Sequence, residues 1–225
     1  KKKIKKVFFS IKDPDLRSFD KSKNLFNKER ISTNVGLLKK EVEFFYRSYL
    51  KSKSDNLPFV TSKIALSKDF YTINKNKKWI TNIYSRGRVH LLRSYHDCII
   101  TSSKTIMDDN PRFTCRIEGL KDKSPSRIIL DRKLKIKIKS KIIKEAKYYP
   151  TIIFYNETKK RKINLLKKSK IKFYKISLDK DGNLNLKSSL IKAKELGFSR
   201  IFLESGIKLT TSFLAKNLID DFIMM

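Results

Sequence analysis

Short apolar runs alternate with amphipathic stretches along most of this chain. Residues 5–11 (KKVFFSI) predict a strand, residues 22–30 a short helix, and residues 31–35 a short strand that Gly36 ends. In residues 37–50 (LLKKEVEFFYRSYL), Leu38, Val42, Phe45 and Tyr49 fall on one helical stripe. The polar segment KSKSDNL, residues 51–57, leads into Pro58 and predicts a domain boundary. Beyond it, residues 59–66 (FVTSKIAL) form a strand pattern interrupted only by Lys63. A lysine there needs solvent, a carboxylate or a ligand, because burying its charge alone is costly.

Asn82 fits the N-cap of a helix on which Tyr84, Leu91 and Tyr95 share one side, with Val89 and Leu92 beside them. Arg86 and Arg93, seven apart, share a face of that helix. Cys98-Ile99-Ile100 is a continuous apolar run, as in a parallel strand buried on both faces. It ends in hydroxyls at Thr101–Ser103, then a short helix that Asp108-Asp109-Asn110-Pro111 stops. Residues 127–130, 151–155, 171–176 and 200–203 predict further strands, and residues 134–141 (LKIKIKSK) read as an edge strand with a solvated face. Residues 184–196 predict a helix striped by Leu186, Leu190 and Ala193 and closed by Gly197. Residues 209–218 predict the last helix, and the chain stops as another strand begins at Ile219. Strands alternating with helices imply an α/β fold with a mostly parallel sheet. Both ends look cut, so a fragment of a longer protein is expected.

Composition excludes several classes. No run of about 18 apolar residues exists, so no membrane helix is expected. Cys98 and Cys115 cannot build a disulfide framework or a zinc site alone, and His90 and His96 do not share a helix face. Lys plus Arg numbers 54 against 22 acidic residues, a net charge of +32. That charge invites a nucleic-acid reading. The lysines are spread over the whole chain, however, so it is taken as compositional bias and no specific nucleic acid is expected. No G-x-G-x-x-G and no P-loop sequence is present.

Candidate chemistry gathers between Lys78 and Arg116 and at the turns that follow strands, where open α/β sheets bind ligands. Gly206 opens a helix whose first N–H groups suit an anion. Arg93, Arg112 and Arg116 carry guanidinium forks that match a phosphate. Trp79 offers a face to a cofactor ring, and Asp109 a carboxyl that orients or protonates a substrate; a core tryptophan and a helix stop are the plain alternatives.

The ordered set K-W-I-T (78–81), L-L-R (91–93), T-S-S-K-T-I-M-D-D-N-P-R-F-T-C-R (101–116), R-I-I-L-D (127–131), L-E-S-G-I-K-L (203–209) and I-D-D-F (219–222) resembles the reductase domain of the bifunctional riboflavin-biosynthesis deaminase/reductase. The resemblance runs from Pro58 to Met225. It implies a dihydrofolate-reductase-like α/β fold, with a mostly parallel sheet flanked by helices, over residues 57–225, truncated at its C-terminus. Residues 1–56 look like the C-terminal remnant of the cytidine-deaminase-like domain that precedes it in that family. The deaminase motifs H-A-E and P-C…C are absent from this sequence, so zinc belongs only to the missing deaminase part and deamination is not expected.

The implied activity is NADPH-dependent reduction of 5-amino-6-(5-phosphoribosylamino)uracil to its ribitylamino form, in a cytoplasmic homo-oligomer. By matching position, Ala65, Trp79, Thr105, Asp109 and the run Gly206, Ile207, Lys208, Leu209, Thr210, Thr211 and Ser212 fall at NADPH contacts. Lys77, Arg93, Phe113, Arg116 and Glu204 fall at substrate positions, and Lys63 and Asp109 are the candidates for polar groups at the reacting centre. The chain departs from the family pattern at Lys77 and Arg132, each usually serine, at Asp69-Phe70, usually D-G, and at Ser205-Gly206, usually G-G. A basic nucleic-acid-binding module and a pterin reductase of the same fold are the competing readings.

Overall fold

A computed structural model describes residues 3–225 apart from 16, 19–20, 68, 70, 72–79 and 158–159. The chain divides into two units, Lys1–Leu57 and Pro58–Met225. In the first, β1 (Lys6–Phe9) pairs in parallel with β2 (Ser32–Val35) across α1 (Lys21–Lys28), and α2 (Lys39–Ser54) follows. Asp15 ties this unit together, with its carboxylate taking both Arg17 and Lys53, while the Tyr49 hydroxyl donates to Asp13 at 2.8 Å.

Two expectations change here. The polar segment after residue 50 is mostly helix: α2 runs on to Ser54, and only Asp55 turns to extended backbone. The apolar stripe of α2 also stays open, with Phe45 77% exposed and Leu38 61%. Among the described residues of this unit no apolar side chain is buried, so helical period alone did not secure a packed face.

The second unit is a seven-stranded sheet in the order β7-β6-β5-β4-β8-β3-β9, with every pair parallel. Its strands are β3 (Phe59–Ile64), β4 (Cys98–Ser102), β5 (Ser126–Leu130), β6 (Thr151–Tyr155), β7 (Lys172–Lys175), β8 (Arg200–Glu204) and β9 (Asp221–Met224). The helices between them are α3 (Ile83–Ser94), α4 (Ser103–Asp109), α5 (Lys141–Lys144), α6 (Lys160–Lys167), α7 (Leu186–Glu195) and α8 (Ile207–Ala215). Alternation along the strands divides the core into two layers. Ile99, Ile129, Ile153 and Phe202 meet Val89 of α3, Ile106 of α4, Ile142 and Ile143 of α5 and Leu166 of α6 on one face. Val60, Ile100, Ile128, Phe154 and Leu203 face the other way. On that side the Lys192 ammonium of α7 lies 5.2 Å from the Tyr174 ring, which packs edge-on against Phe154.

This division follows from handedness. Parallel crossovers are right-handed, so connections running one way along the sheet lie on one face and those running back lie on the other. From β3 through β4, β5 and β6 to β7 the helices are α3 to α6; the return to β8 and on to β9 uses α7 and α8. Neighbours β4 and β8 therefore send their chains to opposite faces. The crevice beyond their C-terminal ends is a topological switch point.

Residues 134–141, expected as an edge strand, belong to no strand. The Asp131 carboxylate accepts the N–H groups of both Lys135 and Ile136 at 2.8 Å, and Leu134 takes a left-handed φ of 51°. That turn buries Leu134 and Ile136 within the first core layer. The alternation was real, but it served a loop wrapped over the sheet rather than a ladder. On α3, Asn82 caps as expected by accepting Ser85 N–H at 2.8 Å. Tyr84 and Tyr95, grouped with the apolar side, are instead exposed, and Val89 and Arg93 are the residues of the helix that are buried.

Candidate active site

Lys63 and Glu204 are register partners at the ends of β3 and β8 and point to the same face. Lys63 Nζ lies 3.9 Å from Glu204 Oε1. Arg93 reaches the same carboxylate from α3 with a two-bond fork, Nε to Oε2 at 2.9 Å and Nη2 to Oε1 at 2.8 Å. Helix geometry brings it there: Arg93 lies one turn after buried Val89 and so faces the sheet. Burial works to raise the Glu204 carboxyl, but the charge and hydrogen bonds of Arg93, with Lys63 and His90, outweigh it and hold the group below the usual carboxylate range. The site thus keeps an ionised acid between two cations.

Beside this cluster the C-terminal end of β4 meets the start of α8. Ser102 caps α4 by accepting Thr105 N–H at 3.1 Å, and the two hydroxyls lie 3.0 Å apart. Gly206 N–H donates to Thr105 Oγ1 at 3.4 Å, joining the strand-end loops across the switch point. The first N–H groups of α8 have no partner in a preceding turn. Gly206 has φ −74°, which any residue adopts, and a Cβ there would meet nothing within 4 Å. Neither backbone nor internal packing calls for glycine at this position; open room above a helix start does accommodate an anion. Gly206, Ile207, Lys208, Thr211 and Ser212 are exposed and Ala65 and Leu209 half-buried. The Thr210 hydroxyl is instead buried against Ser205 at 3.2 Å and so does not reach outward, while the exposed Ser212 Oγ donates to the Lys208 carbonyl at 2.9 Å.

A third wall is the segment 112–116, pinned at almost every peptide. Arg127 donates to the Arg112 carbonyl at 3.0 Å, Arg93 Nη1 to the Thr114 carbonyl at 2.9 Å, and Cys115 N–H to Ser124 Oγ at 3.0 Å. Arg116 N–H donates to His90 Nδ1 at 3.2 Å. Its side chain is exposed. Phe113, expected at the substrate, is only 3% exposed and lies beneath the Arg93 guanidinium, 5.7 Å from ring centre to cation. Its side chain is a seat for Arg93 rather than a contact surface. Asp109 ends α4; desolvation and neighbouring Asp108 push its carboxyl upward, against Lys104 and Lys63.

The structure therefore brings Lys63, Arg93, Glu204 and Arg116 to one end of the sheet, with Thr105 and Gly206 beside them. Lys77 and Trp79 lie outside the described residues. His90 and Arg127 were missed. His90 sits three residues before Arg93 on one helix face, a spacing that could have flagged it. Arg127 opens an apolar run, and nothing in the sequence marks it apart from that strand. Arg132, a departure from the family pattern, bonds the Gly182 carbonyl and pairs with Glu157 at 3.3 Å. An open cavity of about 510 Å³, lined by Asp97, Lys121, Ser126 and Tyr148, lies at the N-terminal ends of β4 to β6 and contains none of the predicted site residues.

Residues 58–225 match the family described as RibD C-terminal domain. The chain belongs to this family. The riboflavin biosynthesis protein RibD of Bacillus amyloliquefaciens is 29% identical over 221 residues, covering 97% of this chain and 58% of that protein. The chain thus spans little more than half the length of the curated relatives it matches. A structure of Acinetobacter baumannii RibD superposes with a TM-score of 0.77 at 23% identity, over 98% of this chain and 60% of that one. The Saccharomyces cerevisiae riboflavin biosynthesis reductase Rib7 gives 0.61 at 21%, over 82% and 81%. The α/β architecture implied by the sequence motifs is the fold of these RibD-type reductase structures.

Proposed function

We propose that this chain reduces 5-amino-6-(5-phosphoribosylamino)uracil to 5-amino-6-(5-phosphoribitylamino)uracil with NADPH. The observation that carries the reading is the Lys63–Glu204–Arg93 cluster, set at a topological switch point beside the open start of α8. The residues present fit a dinucleotide: Gly206 and the first N–H groups of α8 suit its diphosphate, with Ala65 and Thr105 alongside. When bound, it supplies a hydride to the open-chain ribose carbon.

The chain's own residues do the rest. Ionised Glu204, held by Arg93, accepts N–H groups of the aminouracil. Arg116 takes the substrate phosphate with its fork, a geometry that a pterin would leave unused. Reduction also delivers a proton to the heteroatom next to that carbon. Lys63, whose charge is felt at both Glu204 and Asp109, and Asp109, whose carboxyl is pushed upward, are the groups that hold and move it. In the same reading residues 1–56 end a deaminase-type domain, and the enzyme is cytoplasmic and self-associates.

The direct test incubates the purified protein with the aminouracil ribotide and follows the absorbance of the reduced nicotinamide. Oxidation that depends on the ribotide supports the reading. A folded protein that binds NADPH yet oxidises none of it with this substrate refutes it.

A further inference from the structure

His90 Nδ1 lies at a three-way junction. The Thr114 carbonyl is 3.0 Å away, the Arg116 backbone N 3.2 Å and Arg93 Nη1 3.5 Å. One ring nitrogen cannot serve all three at once. Taking the Arg116 N–H requires a bare lone pair, whereas donating to the Thr114 carbonyl requires a proton. That carbonyl already accepts Arg93 Nη1 at 2.9 Å. With the imidazole neutral and its proton on Nε2, Arg93 serves Thr114 and His90 serves Arg116, while the Nδ1 lone pair faces the Thr114 carbonyl at 3.0 Å; with a proton on Nδ1, that carbonyl accepts a second bond and the Arg116 N–H loses its acceptor.

We propose that His90 is a positioning residue whose bare Nδ1 holds the Arg116 backbone N–H and so docks the Arg116 side chain for the anionic group of the substrate. Protonation at Nδ1 removes the acceptor, strands the Arg116 N–H and turns Nδ1 into a second donor to the Thr114 carbonyl beside Arg93. The charged groups facing the ring are Arg93 on its own helix, Arg116 on the 112–116 segment and Glu204 on β8. Burial lowers the His90 pKa, and both arginines add to this against the Thr114 carbonyl and Glu204. The docked form therefore holds through neutral pH and is lost on acidification.

The proposal rests on the reading that Arg116 takes the substrate phosphate, so the test has two arms. The kinetic arm measures KM and kcat for the aminouracil ribotide between about pH 5 and pH 8, where imidazole titrates. It compares wild type with His90→Leu, which has no acceptor, and His90→Asn, whose amide oxygen accepts at every pH. Wild-type KM rises as pH falls, with kcat changing less. His90→Leu has a KM raised about 10-fold across the range, the size of one lost hydrogen bond. His90→Asn keeps a low KM and shows only the titration of the phosphate itself, near about pH 6. An unchanged pH profile in His90→Asn, or a His90→Leu defect confined to kcat, overturns the proposal.

The second arm follows the Arg116 amide by NMR in the ligand-free protein. Its resonance and exchange protection should titrate in wild type and not in His90→Asn. An Arg116 amide indifferent to pH overturns the proposal whatever the substrate is. Absent ribotide turnover with a titrating amide refutes only the substrate reading. If His90→Leu does not fold, the comparison of wild type with His90→Asn still decides.

Discussion

Arg93 and Arg127 are both buried on the same face of one sheet, and both hold the same segment, Arg93 at the Thr114 carbonyl and Arg127 at the Arg112 carbonyl. Their other partners differ. Arg93 spends two donors on the Glu204 carboxylate at the open end of the strands. Arg127, fully buried, hydrogen-bonds among the described residues to neutral groups: the Thr151 hydroxyl and the carbonyls of Ile142 and Tyr149, beside the Tyr149 ring at 5.3 Å. Burial pulls its pKa down to about 10, with Glu145 and Tyr149 opposing the shift. It therefore stays charged at neutral pH. The contrast separates a structural cation, whose worth lies in the carbonyls it satisfies, from a site cation, whose worth lies in the anion it holds in place.

The largest effect that would break this contrast comes from Arg127→Met. Replacing a buried ion pair wholesale by apolar groups can be neutral, but here the partner carbonyls stay in the core with their donors removed. The expected loss is about 3–5 kcal/mol, read from the denaturant midpoint, because several buried carbonyls each cost about 1–3 kcal/mol when left unpaired. On the proposed function, the folded fraction should keep near-normal affinity for NADPH. A variant as stable as wild type would show that water or neighbouring N–H groups replace the guanidinium.

Next comes Glu204→Gln. The amide keeps the shape and one acceptor but removes the anion between Arg93 and Lys63. Turnover should fall roughly 100-fold, equivalent to about 2.7 kcal/mol of transition-state stabilisation, and stability by less than in Arg127→Met. Equal losses of stability at the two positions would erase the distinction between them.

The two regions also differ in acid. The folded pKa of Glu204 lies below its usual 4.5 because Arg93 outweighs burial, so the ionised group contributes stability above that value. This contribution disappears as pH falls below 4.5 and through the lowered folded pKa. Glu204→Gln should therefore flatten the acid limb of the stability curve, measured by denaturant titration at successive pH values. Arg127→Met should mainly shift the whole curve downward and change that limb less than Glu204→Gln does, since the carboxylate influence on it is the through-space charge of Glu145.

Much of this was legible in the sequence. The continuous run Cys98-Ile99-Ile100 announced a strand buried on both faces, Asn82 a cap, and the Leu186–Leu190–Ala193 stripe a packed helix; all three hold because each signal is local. The loop at 134–141 escaped because apolar alternation does not say whether the N–H groups go to a neighbouring strand or, as here, to Asp131. Arg127 escaped because its carbonyl partners come from three separate segments, and carbonyls leave no mark in residue type. The clustering of the charged residues Lys63, Arg93, Arg116 and Glu204 at one end of the sheet matches their grouping as site candidates in the sequence, and the role of each rests on the proposed function. What the sequence could not convey is that Phe113 lies under the Arg93 guanidinium and His90 meets the Arg116 N–H, because such a contact depends on which way a ring points.

The smallest expected effect on stability separates Asp109 from both arginines. Its carboxyl is raised, first by desolvation and then by Asp108, so the ionised form is slightly disfavoured in the fold. For a raised acid the sign reverses: relative stability is full below the usual 3.8 and is lost as pH rises through the folded pKa. At neutral pH Asp109→Asn should therefore leave stability unchanged or marginally higher, within about 0.5 kcal/mol for an exposed position. Turnover should fall sharply all the same, because the amide cannot hold or release the proton that accompanies hydride addition. Stability by denaturant titration and turnover by nicotinamide absorbance, taken on the same preparation, give the answer. Full activity in Asp109→Asn would remove Asp109 from proton transfer and leave Lys63, paired to Glu204 at 3.9 Å, as the remaining donor at the strand ends.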